Sequence, residues 1–337
     1  VKQHRNLPFF VPHAGCPCLC VFCSQGKITG KGCAEKDLQT ELLELDTLLR
    51  QSADKGDNVQ LAFFGGSFTA IEPHRRKALL ELAHRYIKQG SVSSIRLSTR
   101  PDCLSKEILD ELAFYGVTDI ELGVQSVSDD VLLASGRGCT AAQCEAGCRA
   151  VVADGRFNLG GQMMIGLPHS TLDSEIATAK AIVAYGANQA RIYPTVVFAD
   201  TELYDMALDG RYTPLCLSDA VSRTAACAEI FIDAGVTLLR IGLHASEELS
   251  EAPFGATHPA MGELVMARVF QNRIERQINH DISGKNLYIY VPNGDVSKLT
   301  GHGGTPIAYL KNKYHPLSVT VRQADLPYMT VRVEVKE

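Results

Sequence analysis

Apolar, β-branched and aromatic residues gather in short runs along the chain, and amphipathic stretches with a repeat near 3.6 separate them. The runs fall at Leu7–Pro12, Val59–Phe64, Ser94–Ser98, Thr118–Val124, Asn158–Ile165 and Gln189–Thr195, and each is expected to form a strand. Helical repeats between them cover Glu35–Ser52, His74–Lys88, Ser105–Tyr115, Ala141–Ala153 and Leu172–Tyr185. Alternation of strand and helix predicts a parallel sheet. Several strands close on glycine or a polar residue, at Gly65-Gly66, Ser98-Thr99-Arg100 and Gln125, which is the edge where α/β barrels gather their chemistry. Six such units predict an α/β fold, a partial (β/α)6 TIM-like barrel.

Beyond it, a helix is expected over Ser218–Asp233, a short strand over Val236–Ile241 and a long helix from Pro259 to Gln277. The pattern then changes. A strand at Asn286–Val291, a turn at Pro292-Asn293-Gly294, a glycine cluster at Gly301–Gly304, a helix ending near Tyr314 and the runs Leu317–Arg322 and Tyr328–Val335 predict a small α+β module. The expected division is a barrel over 1–245, a helical connection over 246–280 and the module over 281–337. From Ala260 onward there are 10 basic and 7 acidic residues, and before it 23 and 31, so the net charge splits into +3 and −8.

An apolar content of 45% in 337 residues excludes a disordered or fibrous chain. The formal charge of −5 carries no single-sign block, which argues against a chain-wide nucleic-acid surface while leaving room for a local one. No apolar run approaches the ~20 residues of a spanning helix, and Val1–Asn6 is too polar for a signal-peptide core. A soluble cytoplasmic protein without a membrane partner is expected. The 11 cysteines are odd in number and several fall in helical repeats, so metal binding is favoured over a disulfide framework.

The most specific signal is His13-Ala-Gly-Cys16-Pro-Cys18-Leu-Cys20-Val-Phe-Cys23-Ser-Gln25, with Cys16, Cys20 and Cys23 at C-x3-C-x2-C spacing after the first strand. A zinc knuckle would want a fourth ligand and usually a second C-x2-C half, and none is present in the sequence. Three thiolates suit a 4Fe–4S cluster with one iron left open to an exogenous ligand.

This loop resembles the signature of the radical S-adenosylmethionine (SAM) enzymes, in which SAM occupies the open iron. The resemblance covers roughly residues 7–245. Phe64-Gly65-Gly66-Ser67-Phe68-Thr69 is similar to the family's glycine pair, which receives the amino group of SAM and where glycine would let a ligand approach the main chain. Ser98-Thr-Arg-Pro-Asp102, Glu121-Leu-Gly-Val-Gln-Ser126, Arg137-Gly-Cys-Thr140 and Ile165-Gly-Leu-Pro168 resemble motifs of two branches, the Elongator catalytic subunit group and the oxygen-independent coproporphyrinogen oxidase group. The resemblance implies SAM contacts at Gly65, Gly66, Ser67, Gln125 and Arg137, with Gln162 to Ile165 lining the adenine. Ser98 stands where a ribose-binding glutamate is usual, and Cys139 where the Elongator-like branch has histidine. The first cysteine gap is short and no acetyltransferase segment is expected, so an acetyl-CoA-dependent reaction is not implied. The implied chemistry is one-electron cleavage of SAM to methionine and a 5′-deoxyadenosyl radical that abstracts hydrogen from the substrate.

Other features have plainer readings. Cys18 lies between the ligands as a bystander, and His13 is an orienting hydrogen-bond partner rather than a ligand. Cys144 and Cys148 fall four apart on one helix, where small apolar packing explains them, with Cys139 close by, better than a second cluster. Arg191 and Tyr193 share the inward phase of the sixth strand and either meet substrate or fill the barrel. His244, His258 and Glu263 are candidates by position alone.

The segment from Asn286 resembles a minimal KH RNA-binding module, with strand, short helix, G-x-x-G loop, helix and strand in order. The resemblance implies a clamp at Gly301-His302-Gly303-Gly304, with Lys298, Lys311 and Lys313 near phosphates. A glycine turn in a capping subdomain is the alternative. The leading expectation is an RNA-directed radical SAM enzyme acting on tRNA, with an electron donor such as flavodoxin or ferredoxin. The alternatives are a small-molecule or tetrapyrrole enzyme of the coproporphyrinogen oxidase branch and a non-catalytic iron–sulfur RNA adaptor.

Overall fold

The computed structural model describes residues 4–11, 16, 20–24, 37–53, 58–244, 247–301 and 304–337. Strand β1 (His4–Val11) runs parallel to β2 (Asn58–Gly65). Beyond β2, strands β3 (Ser94–Thr99), β4 (Val117–Gln125), β5 (Asn158–Ile165), β6 (Gln189–Pro194) and β7 (Thr237–Ile241) join in chain order to complete a seven-stranded parallel sheet. The sheet curls into a half-barrel with helices around it. Six strands were expected in the barrel. The seventh is the run at Val236–Ile241, because helix α8 (Leu217–Asp233) carries the chain back to the β6 edge and β7 pairs there.

The other surrounding helices are α1 (Leu38–Ala53), α2 (Pro73–Lys88), α3 (Lys106–Phe114), α4 (Asp129–Ala134), α5 (Ala141–Asp154), α6 (Leu172–Ala184) and α7 (Glu202–Leu208). Their starts are written locally. Ser105, Thr140, Thr171 and Thr201 each accept a main-chain N–H of the first turn, and Thr140 and Thr171 form reciprocal capping boxes with Gln143 and Ser174.

Each barrel strand alternates between two environments. Leu61, Phe63, Ile95, Leu97, Ile120, Leu122, Met163 and Ile192 are fully buried in the main hydrophobic cluster beneath the helices. The opposite phase carries Gln60, Arg96, Asp119, Glu121, Gln162, Gln189 and Arg191, which meet one another in the lumen. At Gly161 a Cβ would lie 2.3 Å from Ile182 of α6, so glycine lets that helix close on the sheet.

Gly65 has a need within the fold itself. Its φ is +126° and a Cβ would fall 2.1 Å from the Val11 carbonyl oxygen, so β1 alone already requires glycine here. Gly65→Ala is expected to cost about 3–5 kcal/mol from backbone strain and overpacking. Gly90, at φ +75° with open space around it, is the matched control at about 1–2 kcal/mol. Urea unfolding of the two variants checks the difference, and equal costs would refute the steric argument.

Helix α9 (Met261–Glu275) packs on α8 and β7 and leads to the C-terminal sheet. There β8 (Asn286–Pro292) is central, with β9 (Ser318–Ala324) parallel on one side and β10 (Arg332–Lys336) antiparallel on the other. Leu287, Ile289 and Val291 face inward and join Leu299, Leu310 and Met329 in the same cluster as the barrel core. Between β8 and β9 lie α10 (Val296–Thr300) and α11 (Thr305–Tyr314), so the expected strand, helix, glycine loop, helix and strand order is present. No helix among the described residues is long and apolar enough to cross a membrane.

Candidate active site

The cysteine loop leaves β1 at the C-terminal edge of the sheet. Cys16 and residues 20–24 are described, whereas His13 and Cys18 lie outside the described residues. Val21 pins the loop: its N–H donates to the Ser135 carbonyl at 3.1 Å, and its own carbonyl accepts the Leu203 N–H at 2.9 Å. The Val21 side chain packs with Val197, Leu203, Met206 and Tyr212. Cys23 N–H closes a turn onto the Cys20 carbonyl at 3.0 Å. Cys16, Cys20 and Cys23 are partly exposed, with no disulfide to another cysteine among the described residues.

The glycine turn meets the same loop. Burial pushes the Cys16 thiol up, while the Ser67 main-chain N–H and the charges of Arg137 and Arg100 pull it down. The Ser67 hydroxyl is engaged elsewhere, against Thr99 Oγ1 at 3.0 Å and as acceptor of the Arg100 N–H at 2.9 Å. Gly66 N–H donates to the Val11 carbonyl at 3.2 Å. The turn therefore presents its Ser67 main-chain N–H to Cys16.

Arg137 completes this corner. Its Nη1 lies 3.8 Å from Cys20 Sγ and its Nη2 donates to the Gly123 carbonyl. The loop carrying it is held by Arg100, which donates to the Arg137 carbonyl at 2.7 Å and grips Asp102 in two-pronged fashion at 2.9 and 2.7 Å. Gln125, at the end of β4 with φ +65°, folds over the same place. A Cβ on Gly123 would fall 2.9 Å from Gln125 Nε2 and 3.0 Å from Arg137 Nη2, so the missing side chain makes room for both. Gln125 Oε1 is buried with no hydrogen-bond partner among the described residues, an acceptor open to a donor.

No three His, Cys, Asp or Glu side chains among the described residues gather closely enough to hold a single ion. A cubane does not ask for that, because each thiolate binds a different iron. Three soft donors, a main-chain N–H aimed at one of them, a guanidinium beside another and an orphaned buried acceptor fit a 4Fe–4S cluster with a polar ligand on it.

Below the mouth the lumen is filled. Glu121 accepts Arg191 Nε and Nη2 at 2.5 and 3.0 Å, Arg96 Nη1 at 2.9 Å and Gln162 Nε2 at 2.8 Å. Asp119 accepts Arg96 Nη2 at 3.0 Å and the amides of Gln60 and Gln189 at 2.7 and 2.9 Å. Burial alone would raise the Asp119 carboxyl, but hydrogen bonds from Thr118, Gln189 and Gln60 and the Arg96 charge outweigh it and hold it below the ordinary range. Arg191 thus belongs to the filling layer. Ser98 accepts Gln162 Nε2 at 3.1 Å, which ties both of these expected site residues to the Glu121 layer.

Ile165 points the other way. It is fully buried on the helix-facing phase of β5 with Met163, and its carbonyl accepts both the N–H and the hydroxyl of Thr195 at 2.8 and 2.7 Å. Met164 and Gln162 take the lumen phase. Arg191 and Arg240 sit in register on β6 and β7, and Arg240 donates to the carbonyls of Gly242 and Leu243. Burial and the charges of Arg240 and Arg191 lower the His244 imidazole, which leaves it neutral at pH 7. His258 accepts the Ala260 N–H in the turn before α9, and Glu263 is exposed on that helix.

Cys139, Cys144 and Cys148 are buried in the core. Cys139 and Cys144 have their sulfurs 3.9 Å apart, and burial pushes the Cys148 thiol up to about 12. They pack as small apolar groups.

Residues 10–182 match the Radical SAM superfamily and residues 187–271 match the Radical SAM C-terminal domain. The chain belongs to the radical SAM superfamily. It is an enzyme of that superfamily, with the family's cofactors, a 4Fe–4S cluster and SAM. It is 29% identical to human Elongator complex protein 3 over 198 residues, and 31% identical to the Drosophila melanogaster protein over 206. These stretches are 52% and 53% of this chain and 36% of each relative, so the chain spans well under half the relatives' length. Among solved structures it is similar to the archaeal Methanocaldococcus infernus Elp3, with TM-score 0.62 and 18% identity over 83% of this chain and 65% of that one. Coproporphyrinogen III oxidase from Escherichia coli matches with TM-score 0.51 and 17% identity over 69% of this chain and 53% of that one. Both show the radical SAM fold.

Within this radical SAM barrel, sequence reasoning missed the Arg96, Asp119 and Gln189 layer and the brace that Arg100 gives Arg137. A signal was available: polar or charged residues recur at every second position of strands that are otherwise apolar, at Asp119 and Glu121 and at Gln189 and Arg191. At the C-terminal loop, Gly301 and Gly304 are described and His302 and Gly303 lie outside the described residues. Of the described pair, Gly301 faces the protein and Gly304 has open space beside it. Gly301, at φ +56°, would place a Cβ 2.8 Å from Ala267 of α9, so its smallness serves internal packing. Lys298 is bound to Asp295 at 2.5 Å and lies over the Tyr328 ring, and Lys313 is bound to Glu275 at 2.6 Å. Lys311 is exposed.

Proposed function

We propose that this radical SAM enzyme modifies a nucleoside of RNA, tRNA above all, and works in the cytoplasm with a small electron donor such as flavodoxin or ferredoxin. The observation that carries the catalytic half is the corner where Cys16, Cys20, Arg137, Gln125 and the Ser67 N–H converge at the C-terminal strand edge. Similarity to Elongator complex protein 3 over the barrel supports the RNA half.

In this reading Cys16, Cys20 and Cys23 hold three irons of the cluster. When bound, cluster and SAM together supply a one-electron cleavage that creates a hydrogen-abstracting radical. The chain's own residues then have definite tasks. The Ser67 N–H and the Arg137 guanidinium stabilise anionic sulfur at Cys16 and Cys20. Gln125 Oε1 accepts a hydrogen bond from the SAM side of the site, and Arg137 lies beside it to meet a carboxylate. Gly65 and Gly66 shape the turn that aims Ser67. Ser98 and Gln162 form the layer beneath, and the Arg96, Glu121 and Arg191 network closes the barrel floor against water.

Anaerobic reconstitution followed by a SAM-cleavage assay with dithionite tests the proposal. Total tRNA is expected to raise the yield of 5′-deoxyadenosine, and mass spectrometry of the digested tRNA should show an altered nucleoside. Cleavage that ignores tRNA and leaves every nucleoside unchanged would overturn the RNA reading.

A further inference from the structure

The C-terminal sheet has one face with no role in the barrel. Its inner face is sealed by Leu287, Ile289 and Val291, all fully buried, whereas Tyr288 and Tyr290 stand half-exposed on the outer face of the central strand β8. The register sets their neighbours. Tyr290 pairs with Arg322 of β9 on one side and Arg332 of β10 on the other, Tyr288 pairs with Thr320 and Glu334, and Asn286 pairs with Ser318 and Lys336. Directly opposed residues share a face of a sheet, so two tyrosines and three cations occupy one surface.

The contacts confirm the grouping. Arg332 lies 4.4 Å from the Tyr290 ring centroid, and Arg322 and Lys336 lie 5.2 Å from that of Tyr288. The one carboxylate of the three rows, Glu334, accepts the Tyr290 hydroxyl at 3.3 Å and sits 3.6 and 3.5 Å from Arg332 and Lys336. Arg322, Arg332 and Lys336 are exposed. A chain of net charge −5 thus displays three cations against one carboxylate here. Exposed ion pairs hold their partners weakly, by about 0–1 kcal/mol, so these cations remain available to an incoming anion.

We propose that this face binds single-stranded RNA, with unpaired bases stacking on Tyr288 and Tyr290 and phosphates meeting Arg322, Arg332 and Lys336. Alternate aromatic positions on a central strand stand roughly 7 Å apart, and each offers a planar surface to one splayed base. Guanidinium planes extend that surface and neutralise the backbone. An acidic protein segment would satisfy the cations and leave the two rings without a planar partner; duplex RNA would keep its bases stacked on one another. The proposal rests on the reading that the substrate is RNA, and it moves the contact from the glycine loop, whose Gly301 and Lys298 are engaged internally, to the sheet.

Fluorescence anisotropy of the full chain with a labelled, unstructured RNA of ~12 nucleotides tests it. The Tyr288→Ala/Tyr290→Ala variant is expected to bind ~10- to 100-fold more weakly, with Tyr288→Phe/Tyr290→Phe close to wild type because the rings remain. Lys311→Ala should bind as wild type, and thermal unfolding of the alanine pair should match it, since the rings are on the solvent side. Unchanged affinity of the alanine pair, loss of binding on Lys311→Ala alone, or equal competition by polyglutamate or duplex RNA would each overturn the proposal. The two readings fail separately. RNA-stimulated SAM cleavage that survives Tyr288→Ala/Tyr290→Ala sinks the sheet surface alone, whereas tight ring-dependent RNA binding without stimulated cleavage sinks the proposed substrate alone.

Discussion

Cys20→Ala is expected to lose the iron–sulfur cluster outright. After anaerobic reconstitution the wild-type chain should carry about four irons and four sulfides, with broad visible absorption, and the variant close to none. SAM cleavage should fall to background with it. The geometry makes Cys20 the most exacting of the three thiols, because it is tied by its carbonyl to Cys23 and faces Arg137 at 3.8 Å. Cys18→Ala is the discriminating partner: a bystander should leave iron content unchanged, so equal losses in both variants would show that the ligand spacing has been misassigned. Arg137→Met should retain the cluster and weaken SAM binding, which separates a neighbour of the sulfur from a ligand.

Glu121→Gln should be the most destabilising conservative change in the barrel. The carboxylate is fully buried and answers two arginines, Arg96 and Arg191, while Asp119 answers Arg96. Within this network two positive charges therefore face two negative ones. Removing one negative charge leaves a buried guanidinium uncompensated, at a cost of about 3–5 kcal/mol, and lowers the apparent Tm on the order of 10 °C. Urea denaturation measures the first and a thermal scan the second; a loss under about 1 kcal/mol would refute the account. Glu121→Gln with Arg191→Met should recover part of the loss, because that pair removes one charge of each sign. The same layer sets an acid limit. Asp119 has its carboxyl lowered in the folded chain, so its contribution is fully present above the unfolded value near 3.9. That contribution is lost as the pH falls from there through the lower folded value.

Much of the barrel was legible from the chain because strand and helix periods are local. The run at Asn158–Ile165 is observed residue for residue as β5, and Leu172 opens α6 as the pattern required. The strand ends at Gly65, Thr99 and Gln125 share one edge of the sheet because parallel strands all end on one side. Cysteine spacing was equally legible, since three thiols within eight residues are close whatever the rest of the chain does.

What the linear pattern left open depends on partners far along the chain. Arg191 sits on the lumen phase under either reading, substrate contact or filling layer, and only Glu121, 70 residues away, decides between them. Ile165 lies in a motif that resembles an adenine-lining segment, and strand phase turns its side chain to the buried side of the sheet with Met163. Gly301 reads as a nucleic-acid clamp from the chain alone, and only the docking of α9 shows that Ala267 stands where its side chain would go. Tyr288 and Tyr290 become a surface only when β9 and β10 set cations on either side of them. Period and spacing are properties of a few consecutive residues, so the sequence by itself determined the barrel, its edge and its three cysteines. Strand register and helix docking bring together residues tens of positions apart, so the tertiary structure alone decided which charges are paired, which glycines are crowded and which aromatics meet solvent.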